Sequence, residues 1–321
     1  MASGQERILR RRIRSVQATQ KITRAMELIA ASQIVRAQQR IATAAPYLQG
    51  IARVLAEAAA DAGEHAGRLV GVPENPSRVL VLALVADRGL AGGYNANVLR
   101  TTERMVRAGR SSEVEYRVVT VGKKGPSFLR FRGIDIFTSF LGFSDRPTFA
   151  DARRVAAAVT APFVAGDIDQ VLVVSTRFLS AGVQVVETHQ LLPLPAASGG
   201  PDEGGDEAEE AGRARAGAPA DPAAEEPARS GYTEFEPASV DLLGDLVPRY
   251  AEAALFGALL EAAASEHTAR QRAMAAATDN AEELVKTLSR VMNRARQDAI
   301  TTEIMEIVGG AEALRQAARS E

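Results

Sequence analysis

The chain has 321 residues, 46% hydrophobic and 5% aromatic, with 38 Lys and Arg against 40 Asp and Glu, so its formal net charge is −2. With no Cys, the sequence excludes disulfides and thiolate metal sites, and the wide separation of His65, His189 and His267 weighs against a His metal cluster. The apolar run Val79–Ala86 falls short of the ~20 residues of a membrane helix, and the basic N-terminus lacks an apolar signal core.

The charge is unevenly placed. Residues 1–45 hold nine bases (Arg7, Arg10, Arg11, Arg12, Arg14, Lys21, Arg24, Arg36, Arg40) against Glu6 and Glu27; nine minus two is +7. An acidic partner suits that end. The same stretch begins a helix of ~58 residues, with an apolar seam at Ile34, Ala37, Ile41, Ala44, Leu48, Ile51, Leu55 and Ala58. Pro46 inside it should bend the helix or break one hydrogen bond. Gly63, Gly67, Gly71 and Pro73 end the pattern.

Residues 75–194 read as an α/β domain. The expected strands are Arg78–Ala86, Tyr116–Gly122, Ile134–Ser139, Asp169–Thr176 and Val183–Gln190. The expected helices are Asn95–Ala108, Pro126–Phe131 and Phe149–Val164. Their alternation predicts a mostly parallel sheet with covered faces. The first strand runs into "DRGLAGG", where Gly89, Gly92 and Gly93 follow Asp87 and Arg88. Such a turn invites a phosphate, yet G-x-x-G-G is neither the dinucleotide fingerprint nor a P-loop, and no Lys follows. A tight strand-to-helix turn, or a backbone approached closely by another helix or subunit, are the other readings.

Residues 195–231 are Gly, Pro, Ala and Glu rich. Nine acids against three Arg give 196–230 a charge of −6, and the stretch reads as a disordered acidic insert. Helical periodicity resumes at 239 and carries a heptad seam at Met274, Ala277, Ala281, Leu284, Leu288, Val291 and Ala295, with Gly309-Gly310 expected to stop it and a tail over 311–321. If the terminal helices leave the α/β domain together and pair antiparallel, Met26 falls near residue 270 and roughly 293–308 project without a partner from this chain. That overhang holds Ile300, Ile304, Met305, Ile307 and Val308, too apolar for a bare helix in water. An ordinary helical bundle packed on the α/β domain is the alternative.

No catalytic constellation emerges. Ser265, Glu266 and His267 are consecutive on a helix and point different ways. Glu282-Glu283 and the pair Glu303/Glu306 read as solvated faces, and "GKKG" at 122–125 lacks a P-loop frame. The basic helix has no aromatic interleaving for nucleic acid.

Three segments resemble one family: "IRSVQATQKITRAMELIAASQIVRAQ" (13–38), "DRGLAGGYN" (87–95) and "SEHTARQRAMAAATDNAEELVKTLSRVMNRARQDAITTEIMEIVGG" (265–310). In that order they are similar to the γ subunit of F-type ATP synthases from bacteria. The resemblance implies an α/β fold: a long antiparallel coiled coil of N- and C-terminal helices (1–60 and 239–310) with an inserted Rossmann-like domain. It implies the central-stalk rotor, whose turning by proton flow through the membrane c-ring drives ATP synthesis at the β subunits. The implied partners are the α and β subunits of the α3β3 ring, the ε subunit and the c-ring, on the cytoplasmic face of the cell membrane. Neither cofactor, metal nor catalytic residue is implied for this chain.

The resemblance also carries over residue by residue. It puts the rotor's contact methionine at Met26, beside Lys21 and Arg24 and level with Arg270. It makes Arg296 and Gln297 a hydrogen-bonding pair toward β, with Thr301, Glu303 and Glu306 above. It sets Arg88 against β, with Gly89, Gly92 and Gly93 letting the turn lie close to the coil. Two departures stand out. Ala91 occupies a position where the family often has Cys, and the acidic insert is longer than usual, which suggests a role in coupling or latency. A nucleotide-binding α/β enzyme and a basic coiled-coil nucleic-acid binder are the competing classes.

Overall fold

The computed structural model describes residues 2–71, 73, 76–111, 114–194 and 238–317. The acidic insert 195–231 and the end of the tail lie outside the described residues. The chain order is helix α1 (Ala2–Ala62), a 3-10 segment (Gly63–Leu69), β1 (Arg78–Leu84), α2 (Tyr94–Ser111), β2 (Glu115–Val121), α3 (Lys124–Phe131), β3 (Ile136–Phe140), α4 (Phe149–Val164), β4 (Gln170–Phe178), β5 (Gln184–Leu192) and α5 (Ser239–Ala317). The chain divides into two compact units. One takes in Met1–Arg36, Gly89–Gly93 and Glu266–Glu321, and the other Ala37–Arg88 and Tyr94–Ser265.

The second unit is built on a five-stranded sheet of order β3-β2-β1-β4-β5. β1 lies parallel to β2 and β4, β2 lies parallel to β3, and only β5 is antiparallel, as the return arm of a hairpin from β4. β1 reads as one apolar run because both its faces are covered. Leu80, Leu82 and Leu84 pack toward Val155, Val159 and Phe163 of α4, Leu55 of α1, and Leu243 and Leu255 of α5. Val79, Val81 and Ala83 point the other way, toward Val98, Leu99 and Val106 of α2 and Leu129 of α3. Alternate side chains of a strand face opposite sides, so one strand anchors both layers.

Local chemistry fixes several boundaries. Thr148 and Asp151 form a reciprocal capping box at the start of α4, where the periodicity predicts it. α1 continues through Pro46, which stands exposed and removes one backbone donor without ending the helix. α5 passes through Gly309-Gly310 to Ala317, so the expected stop is corrected. Neither glycine adopts a left-handed φ, and the following "AEALRQA" consists largely of strong helix formers.

Asp169 ties the start of β1 to the start of β4. It accepts from Arg78 Nη2 at 2.7 Å, Arg78 Nε at 3.3 Å, Arg78 N at 2.9 Å, Ser77 N at 3.2 Å and Ser77 Oγ at 3.0 Å. The Arg78 guanidinium, followed by the opposing effect of burial and then the N–H of Arg78 and the Ser77 hydroxyl, leaves the carboxyl at about 2. A depressed carboxylate pKa stabilises the fold above its unfolded value of about 3.9 and is lost as pH falls through the folded value. Asp169→Asn should therefore lower the urea midpoint at neutral pH, with the difference from the parent closing between about pH 4 and 2. A pH-independent difference would show that Asp169 contributes only through shape.

In the first unit the two long helices pair antiparallel. Thr23 and Thr278 share a hydrogen bond of 2.8 Å, and both are buried. Thr278 Oγ1 also donates to Met274 O at 2.8 Å, so the contact is satisfied on both sides. Ile13 and Ala30 on α1, with Met274, Ala281 and Leu288 on α5, fill the seam. The alternate seam positions Leu284 and Val291 remain 40% and 46% exposed. Two helices bury only one narrow stripe, and the rest of a wider apolar face is left over.

Candidate functional site at the glycine-rich turn and the long-helix surfaces

The turn "DRGLAGG" divides between the units after Arg88. On the sheet side, Asp87 follows β1 at the carboxyl end of the parallel strands, the edge where open α/β sheets bind ligands. Here the edge is closed by the protein's own groups. Asp87 Oδ1 accepts from Lys123 N at 3.0 Å, and Oδ2 accepts from Gly142 N at 2.9 Å and Ser144 N at 3.0 Å. Asp87 N donates to Ser144 Oγ at 2.8 Å, and Ala86 N donates to Asn95 Oδ1 at 2.8 Å. Burial pushes the Asp87 carboxyl up, but the N–H groups of Gly142, Ser144 and Lys123 and the Ser144 hydroxyl outweigh it and leave it low. The carboxylate occupies the position an anion would take at the N-terminus of α3. At the end of β4, Ser265 Oγ of α5 donates to Thr176 O at 3.2 Å. The Asp87 carboxylate already takes the N–H groups of Lys123, Gly142 and Ser144, which weighs against the phosphate reading.

On the other side the turn lies along α5. Arg270 Nη2 donates to Gly89 O at 3.4 Å and to Glu266 Oε1 at 2.6 Å. Gly92 has φ +53°, and a Cβ there would meet Ala273 Cβ at 3.7 Å and Ala269 O at 3.9 Å, ordinary contact distances. Backbone conformation rather than space therefore demands glycine at this position. Leu90 also adopts a left-handed φ of +62°, and its side chain is 62% exposed.

The residues singled out from the sequence are not gathered into one site. Lys21 and Arg24 are exposed on α1, Met26 is half-buried, and Arg24 pairs with Glu27 at 3.0 Å. Counted antiparallel from the Thr23–Thr278 contact (23 + 278 = 301), Met26 lies level with about residue 275. This corrects the expected pairing with Arg270, which is turned toward Glu266 and Gly89. α1 runs on to Ala62, beyond the ~58 residues expected from the sequence, and this shifts the register. Arg296, Gln297, Thr301, Glu303 and Glu306 are all exposed on α5, and Arg88 is exposed in the turn.

The sequence marks Leu90 not at all, Glu27 only as a charge, and Glu266 only beside Ser265 and His267. The Arg24/Glu27 and Glu266/Arg270 spacings of three and four were legible as helical pairs. The left-handed Leu90 had no signal, because leucine seldom adopts that conformation.

Two long helices that pair antiparallel, and a five-stranded mostly parallel sheet, define an α/β protein with long terminal helices. The ATP synthase family matches residues 5–314. The chain is 45% identical over 320 residues to the ATP synthase gamma chain of Frankia casuarinae, covering 97% of this chain and 98% of that protein. It is 42% identical over 324 residues to that of Streptomyces coelicolor, covering 98% and 97%. A chain of the Euglena gracilis mitochondrial ATP synthase, solved with OSCP, F1 and the c-ring, shares the fold with a TM-score of 0.64 at 17% identity, covering 97% of this chain and 95% of that one. A chain of the Tetrahymena thermophila mitochondrial central stalk and c-ring structure gives 0.57 at 22% identity, covering 80% and 99%. The protein belongs to the ATP synthase gamma chain family.

Proposed function

We propose that this chain is the central-stalk rotor subunit of a bacterial F1Fo ATP synthase, transmitting c-ring rotation to the β subunits, where ATP is made. The observation that carries the reading is the exposed apolar end of α5. Ile300, Ile304, Met305, Ile307 and Val308 are 48%, 54%, 68%, 72% and 59% exposed on one continuous helix. Ile22, Leu28, Ile29 and Val35 on α1 are also more than half exposed. Helices this apolar outside their own seam require cover from other chains, as a shaft inside the α3β3 ring would have. No helix among the described residues is long and apolar enough to cross a membrane. Membrane association would therefore run through the c-ring, with ε beside the sheet-bearing unit at the cytoplasmic face.

Mixing the purified chain with α and β subunits tests the reading. An assembled complex should hydrolyse ATP, and the chain alone should not. Nucleotide binding by the isolated chain, or salt-sensitive duplex binding, would favour the competing classes.

Lys21, Arg24, Met26, Arg88, Arg296, Gln297, Thr301, Glu303 and Glu306 are the proposed contacts, with Gly89, Gly92 and Gly93 shaping the turn and Arg270 buried beside it against Glu266. A rotor must break each contact every third of a revolution, so no single one should be very tight. Lys21→Ala and Arg24→Ala are expected to change ATP turnover by no more than about fivefold, the worth of an exposed ion pair. Met26→Lys adds a charge to the same stretch of α1 and should do more, lowering protons pumped per ATP by over-stabilising one rotary state. Equal pumping ratios in parent and Met26→Lys vesicles would remove that role for Met26.

A further inference from the structure

We propose that Glu266 is a positioning residue: through Arg270 it clamps the 89–92 turn onto α5, and so sets how Leu90 meets a neighbouring subunit. The clamp stands on this chain's geometry alone; only the encounter with a neighbour rests on the rotor reading.

The Glu266 side chain is 1% exposed and that of Arg270 10%, and they meet at 2.6 Å, one helical turn apart. A guanidinium this deeply covered needs a carboxylate, because a neutral carbonyl alone does not offset its lost hydration. Its fork has further donors, and Nη2 also reaches Gly89 O at 3.4 Å. Glu266 thus holds charge and orientation in Arg270, and Arg270 holds the first carbonyl of the turn. The far end of the turn is seated separately, where Gly92 rests against Ala269 and Ala273. Ala91 between the two ends is 2% exposed.

Leu90 stands between these two attachments. Its φ of +62° is a conformation that a leucine keeps only when its surroundings enforce it. The enforced geometry does not bury the side chain, which is 62% exposed. Strain that directs an apolar side chain outward does nothing for this chain's core. It suits an apolar recess on a neighbouring protein.

The alternative is that Glu266 and Arg270 merely stabilise α5 as a pair spaced four apart. Amide hydrogen exchange on the isolated full chain separates the two. In Glu266→Gln, amides 90–92 should exchange about tenfold faster, the equilibrium worth of one charge-assisted hydrogen bond, while amides 274–288 keep parental rates. Arg270→Lys keeps a cation for Glu266 but loses the fork to Gly89 O, and should loosen the same three amides. Faster exchange along 274–288 with 90–92 unchanged would overturn the clamp.

The second arm uses the complex with α and β. Glu266→Gln and Leu90→Ala should each lower ATP turnover, and the double variant should be no slower than Leu90→Ala alone. Multiplying effects, or full activity in Glu266→Gln despite a loosened turn, would overturn the link to Leu90. If the unaltered chain forms no ATPase with α and β, the rotor reading fails, and the exchange arm still decides the clamp.

Discussion

Gly122→Ala is expected to destabilise the sheet-bearing unit severely. Gly122 follows β2 with φ +99°, and a Cβ there would lie 2.0 Å from Val85 O and 2.6 Å from Val85 C. Those atoms are backbone at the end of β1 and cannot swing aside as a side chain would. Moving them strains Val85 N→Val121 O at 2.9 Å and Gly122 N→Phe140 O at 2.8 Å, which hold three strands together. A left-handed alanine costs about 1–2 kcal/mol, and overlap with a fixed neighbour adds about 3 kcal/mol. About 4–5 kcal/mol consumes much of the 5–15 kcal/mol that typically holds a domain together. The urea midpoint should fall by about 2 M at a typical slope, read by tyrosine signals because the long helices dominate far-UV circular dichroism. Gly133→Ala is the control. Gly133 has φ +69° but nothing within 4 Å of its added Cβ, so it should cost only the ~1 kcal/mol of strain. Equal losses in the two variants would show that the clash at Val85 is relieved cheaply.

Asp87→Ala should cost about 3 kcal/mol, roughly one for each backbone N–H that loses a charged acceptor, discounted because water reaches the site. The N–H groups of Lys123, Gly142 and Ser144 would then converge on an empty anion position. Formate or acetate should restore part of the loss, raising the Tm of Asp87→Ala while leaving the parent unchanged. The deficit should also shrink in acid, since the low pKa of Asp87 makes its contribution present above the ordinary carboxylate range and lost below it. A Tm insensitive to both the substitution and formate would mean that Asp87 is not the group closing this edge.

Much of the architecture was legible because periodicity is a short-range signal. The helix expected over Phe149–Val164 has those bounds in the structure. The strands were found within a few residues, since β-branched runs bounded by turns are visible without partners. Their ends shifted where pairing decides the boundary. β4 runs on to Phe178 because it pairs with Gln184 of β5. At the site, the exposed charges of both helices could be named from the resemblance, but Glu266 looked like an ordinary helical acid until burial beside Arg270 set it apart.

The sequence by itself determined the long helical pair, the mostly parallel sheet between them, the apolar end of α5 and the family. Each is written in local periodicity or in collinear motifs. Tertiary structure alone decided what "DRGLAGG" does. Asp87 finds its donors 36, 55 and 57 residues downstream, brought together by crossovers between parallel strands. Gly89 and Gly92 meet residues 269–273 across most of the chain. The Thr23–Thr278 contact set a register that counting missed. Such contacts join residues whose separation follows no period, so only the folded chain can specify them.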